Sequence, residues 1–110
     1  MYGCHPDVEA EITFLRTDEG GRKDYALSGY RPQFFYHGED HDAVQEFVGK
    51  ERVYPGETVT ARLSLLHPEL LCDHIRVNDR FEIREGLKTV GLGKITRILK
   101  LSENAATSNR

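Results

Sequence analysis

"YPGETVTARLSLL", residues 54 to 66, decides the fold class. Pro55-Gly56 is a turn pair, because proline presets φ for one central position and glycine tolerates the positive φ of the next. Beyond it Val59, Ala61, Leu63 and Leu65 alternate with Thr58, Thr60, Arg62 and Ser64. A period of two sends the apolar set to one face, which is a strand with one buried side. Upstream, "VEAEITFL" repeats the pattern, with Val8, Ala10, Ile12 and Phe14 set against Glu9, Glu11 and Thr13. Downstream, "RFEIREG" places Phe81 and Ile83 on one face, and "TVGLGKITRIL" supplies a last strand. Gly91 and Gly93 within it mark a bend or a close approach of another segment. "DEGGRK" reads as a turn in which Gly20 and Gly21 can take φ > 0. Only "HPELLCDHI" hints at a helical turn. Short strands punctuated by Gly and Pro predict an all-β antiparallel barrel or sandwich.

"GYRPQFFYHGEDHD", residues 29 to 42, is harder to place. Phe34 and Tyr36 alternate with Gln33 and Phe35, so both faces of this strand carry rings. His37 and His41, with Glu39, Asp40 and Asp42 around them, invite a metal reading. Residues four apart on a strand lie ~13 Å apart, too far to share an ion, so the segment reads as a polar hairpin loop. Cys4-His5 and Cys72-Asp73-His74 match no zinc spacing. Gly86 and Gly91 have the spacing of phosphate-loop glycines, but Leu92 stands where the lysine is required. No serine, histidine and acid, nor cysteine and histidine, are spaced as a nucleophile and its base. The expectation is therefore no enzyme, no metal, no nucleotide and no other cofactor.

A chain of 110 residues is one domain. The two cysteines make no disulfide framework, and the start is unlike a signal peptide. No apolar run approaches the ~20 residues of a membrane span. A soluble, cytoplasmic monomer without membrane contact is expected. The formal charge of −3 argues against a dedicated nucleic-acid binder, yet the charge is uneven. Residues 38 to 47 hold four acids and no Lys or Arg, whereas residues 76 to 100 hold seven bases against three acids. Any polyanion contact is expected in that C-terminal third. The chain divides into a leader over 1–7, a barrel over 8–100 and a frayed polar tail over 101–110.

"DEGGRK", "GYRPQF", "VYPGETV", "LLHP", "RFEIREG" and "TVGLGKITRIL" occur in the order and approximate spacing of one family. Over residues 8 to 100 the chain resembles the third, C-terminal domain of bacterial elongation factor Tu, as a stand-alone copy without the GTPase domain. The resemblance implies a six-stranded antiparallel β-barrel. It also implies contacts to the T-stem of tRNA at Arg22, Lys23, Gln33, His67 and Gly86. Arginine and lysine there would pair with phosphates, Gln33 and His67 would hydrogen-bond, and Gly86 would admit close backbone approach.

The departures from the family bear on which contacts survive. An Arg-Thr-Thr-rich stretch is replaced by His37-Gly38-Glu39-Asp40, and a threonine that touches RNA by Asp42. Acids there repel phosphate. Glu82 replaces a small alanine that packs beside the GTPase domain, and Leu87-Lys88 replaces Gly-Arg. The segment between His67-Pro68 and Arg80-Phe81 is longer than usual. Gly20, Gln33, Glu82 and Leu87 form the rim expected to meet a protein. The favoured expectation is a non-catalytic module that imitates this domain and binds a protein partner, of exchange-factor or toxin type. The second is a tRNA-binding, translation-related protein.

Overall fold

The computed structural model describes residues 5–108. Eight strands run in chain order: β1 (Val8–Phe14), β2 (Ala26–Leu27), β3 (Gln33–Tyr36), β4 (Glu39–Phe47), β5 (Arg52–Val53), β6 (Thr58–Leu65), β7 (Arg80–Glu85) and β8 (Lys88–Ile98). Six of them close into an antiparallel barrel in the order β1-β6-β4-β3-β7-β8, and β1 pairs with β8 to complete the ring. This is the six-stranded barrel that the resemblance implied. Closure leaves no barrel strand with an unpaired edge. The two-residue strands β2 and β5 pair with each other as a separate ribbon.

The alternation read from the sequence is the inside-outside pattern of the barrel. Val8, Ala10, Ile12 and Phe14 of β1 and Val59, Ala61, Leu63 and Leu65 of β6 are all buried. Phe34 and Tyr36 point inward from β3, and Phe35 is only half-buried on the outside. Each fully buried Leu or Ile contributes on the order of 1.5–3 kcal/mol. Rings fill the interior where alanine and glycine leave room. Phe81 stacks on Phe34 with centroids 4.4 Å apart. Gly93 lies directly beneath that ring: a Cβ there would sit 2.2 Å from the Phe81 Cζ. The close approach expected at Gly93 is thus to an aromatic side chain.

Two expectations are corrected. The frayed polar tail is, over the described residues, helix α1 (Leu101–Ser108), with Leu101 and Ala105 buried. Leu101 and Ala105 are one helical turn apart, so a narrow apolar stripe docks an otherwise polar segment. Asn104 fixes it by donating from Nδ2 to the His5 carbonyl at 2.7 Å and to Asp7 Oδ1 at 2.8 Å. Asp7, from the expected leader, is itself buried and accepts from the Leu65 backbone N–H at 2.6 Å. Burial raises its carboxyl above the ordinary value, and the bonds from Asn104 and Leu65 oppose that. Leader residues 1–4 and the last two residues lie outside the described residues, as does Cys4. The second correction concerns residues 37–42. The turn is only His37-Gly38, both at positive φ (49° and 80°), and Glu39–Asp42 already belong to strand β4. A two-residue turn with both φ positive matches the twist of the flanking strands.

Between β6 and β7, Pro68–Leu70 form a 3-10 turn, the helical turn that "HPELLCDHI" hinted at. Leu71 and Ile75 are buried there, and Cys72 packs partly against the core. The longer segment thus caps the barrel.

Candidate functional site

Barrel register sets two rows of outward side chains side by side. Asp42 on β4, Gln33 on β3, Arg84 on β7 and Thr89 on β8 are successive cross-strand partners. One step along, Asp40, Phe35, Glu82 and Leu92 make the neighbouring row. Antiparallel partners on one face lie about 4.5–5.5 Å apart at Cβ, so each row is a contiguous strip.

The strip is cross-braced. The Arg84 guanidinium lies over the Phe35 ring, 3.5 Å from its centroid, and its Nε donates to Glu82 Oε1 at 3.3 Å. Thr89 Oγ1 donates to the same oxygen at 2.6 Å. The Thr89 hydroxyl, then Arg84, hold the Glu82 carboxyl below its ordinary range. Glu82 is therefore a bound carboxylate flush with the strip.

The β7–β8 hairpin turns through Gly86-Leu87, with Gly86 at φ 64°, and leaves Leu87 93% exposed at its tip. Glu85 anchors the tip from below. It accepts an ion-paired bond from Arg22 Nη1 and a 2.5 Å bond from the Tyr30 hydroxyl. The Arg22 guanidinium also lies over the Tyr30 ring at 4.8 Å and donates from Nη2 to the Tyr25 carbonyl at 3.3 Å. Burial, then the bond to Glu85, raise the Tyr30 hydroxyl well above its usual value. Arg22 thus fastens the β1–β2 loop to the hairpin, and its charge is already matched.

The remaining sequence-predicted residues fall along the same edge. Lys23 is exposed, and Gly20, at φ 93°, closes the 3-10 turn Thr17–Glu19 beside Arg22. Gln33 sits between Asp42 and Arg84, and its Oε1 is buried without a hydrogen-bond partner among the described residues. His67 stands at the far end, 3.4 Å from Glu69 through Nδ1. It borders a hollow of about 120 Å³ together with Asp40, His41 and Asp42. Among the described residues, no group of three or more His, Cys, Asp or Glu is placed to hold a metal ion.

Electrostatically the face is close to neutral, with the exposed Lys23 and Lys88 toward the tip and Asp40 and Asp42 on β4. Arg22 is matched by Glu85 and Arg84 by Glu82, whereas Asp40 and Asp42 form no ion pair among the described residues. The structure adds Glu85, Tyr30, Phe35, Arg84 and Thr89 to the residues singled out from the sequence. Strand alternation alone could have put Phe35 and Arg84 on the outside, but it carries no information about which strands are neighbours.

No helix among the described residues is long and apolar enough to cross a membrane. The sequence model of the family described as the elongation factor Tu C-terminal domain matches residues 3–99.

Proposed function

The chain belongs to the elongation factor Tu C-terminal domain family, related to translation factors, and we propose that it is a non-catalytic binding module that recognises a protein partner. The contact is made by the hairpin tip and the strip behind it. The observation that carries this reading is Leu87, 93% exposed on a tip that Glu85, Arg22 and Tyr30 hold rigid. An exposed leucine on a pre-ordered turn supplies apolar contact area with little ordering cost on binding. The charges favour the same class of partner. Phosphate-binding affinity comes from unneutralised Lys and Arg; Arg22 and Arg84 of this face each pair with a carboxylate, which leaves Lys23 and Lys88 as its unpaired bases among the described residues. Asp40 and Asp42 add repulsion toward RNA and set which protein surfaces approach.

The test is capture from the native cell extract by wild type and Leu87→Asp, with and without RNase. Leu87→Asp is expected to melt like wild type, because the side chain is in solvent, and to lose the captured protein. If RNase strips every captured protein, the module binds RNA instead. If Leu87→Asp captures the same set as wild type, the tip is not the contact.

A further inference from the structure

A second charged feature lies on the barrel wall formed by β6, β1 and β8, and the proposed partner face does not use it. Glu9 of β1 faces Arg62 of β6 on one side and Arg97 of β8 on the other. Its carboxylate is mostly buried and lies 3.4 Å from Arg62 Nε and 3.8 Å from Arg97 Nη1. These three residues, with His5, Lys100 and the apolar Pro6 and Leu99, border an open hollow of about 240 Å³.

We propose that this hollow binds a phosphate or pyrophosphate group. Cations exceed acids at it by one: Arg62, Arg97 and Lys100 stand against Glu9 and Glu103, the latter 3.6 Å from the Lys100 ammonium. Glu9 engages one nitrogen of Arg62 closely and reaches Arg97 only at long range. Each guanidinium has five N–H donors, so most remain free for a ligand. Neighbouring strands are about 4.8 Å apart, which puts the two arginine Cα atoms roughly 10 Å apart across β1. Two side chains of that length converge on one dianion between them, which takes the place of their contacts to Glu9. The floor does not yield, because the Leu99 N–H donates to the Asp7 carbonyl at 2.8 Å and Asn104 ties α1 to His5 and Asp7.

Pyrophosphate titration at constant ionic strength, followed by calorimetry, tests the site. Saturable one-to-one binding is expected for wild type. Arg62→Gln and Arg97→Gln should each weaken it about tenfold, the loss of one charge-assisted bond. Lys23→Gln, on the tip side, should leave it unchanged. Glu9→Gln is the discriminating variant. A ligand site gains affinity severalfold when the competing carboxylate is removed, whereas a merely structural cross-strand ion ladder only loses stability. Vesicles carrying phosphatidate give a second arm. Arg62-dependent vesicle binding identifies a lipid headgroup as the source, and pyrophosphate binding without vesicle binding identifies a soluble ligand. Non-saturable heats, an equal loss in Lys23→Gln, or weaker binding by Glu9→Gln overturns the proposal.

Discussion

Replacing Glu85 by alanine removes one carboxylate and two bonds that converge on it. The Tyr30 hydroxyl donates to it at 2.5 Å, and a hydrogen bond to a charged acceptor contributes about 1.5–3 kcal/mol. The Arg22 ion pair is partly solvated, with side chains 25% and 38% exposed, so screening reduces it to ~0.5–1 kcal/mol. The two share an acceptor and do not add fully. Glu85→Ala should therefore cost about 2–3 kcal/mol. For a domain of this size that lowers Tm by roughly 8–15 °C. Glu85→Gln keeps an acceptor for Tyr30 and should lose about half as much. Urea unfolding of wild type, Glu85→Ala, Tyr30→Phe and the double variant yields the coupling directly. A coupling energy of about 1 kcal/mol or more is expected, with the larger part persisting in high salt because the Tyr30 bond does not depend on a second charge. If Glu85→Ala unfolds within about 0.5 kcal/mol of wild type, the tip is not held as described, and the rigid presentation of Leu87 fails with it.

Two further outcomes follow from packing and titration. Gly93→Ala pushes a methyl into the Phe81 ring, which is pinned against Phe34, and should destabilise by about 1–3 kcal/mol. Adding Phe81→Leu should recover part of that in urea unfolding, and a double variant no more stable than Gly93→Ala would show that the ring is not the obstacle. Asp79 accepts from the Tyr36 hydroxyl at 2.5 Å and from the Arg76 N–H at 2.9 Å, and the Tyr36 bond leads in holding its carboxyl below 3.8. A depressed folded pKa contributes stability that is present above the unfolded pKa and lost as pH falls through the folded one. Asp79→Asn should thus flatten the acid limb of Tm against pH below about pH 4, and wild-type and variant curves that stay parallel there would refute this.

How much of this was legible in the sequence depends on the distance over which each feature is decided. Inside and outside are decided locally, so Val59, Ala61, Leu63 and Leu65 could be assigned to the core from alternation alone. The family motifs then supplied the closed barrel that alternation leaves undecided between barrel and sandwich. Side-chain partnership is decided by strand order, which no local pattern encodes. Arg22 reads as a free cation because the carboxylate that neutralises it lies 63 residues away, on a strand that neighbours it only once the barrel has closed. Glu82 reads as a projecting charge for a more local reason: Thr89 lies only seven residues on, across the β7–β8 hairpin, and whether its hydroxyl meets Glu82 depends on the hairpin register and its shift between Ile83 and Arg84. Helix α1 was missed on different grounds. Its apolar stripe is only Leu101 and Ala105, too narrow to signal a helix, and the decisive contacts run from Asn104 to His5 and Asp7 at the opposite end of the chain. The same logic inverts the reading of the charges. Counting along the sequence places the surplus of bases in residues 76 to 100 as a block, but the barrel divides it. Arg84 is taken up beside Phe35, whereas Arg97 is carried round to β1, where it and Arg62, from a segment with no such surplus, flank Glu9. The proposed anion site accordingly takes one arginine from the C-terminal third and one from β6, and the proposed protein face has the exposed Leu87 at its tip and the unpaired Asp40 and Asp42 on the strip behind it.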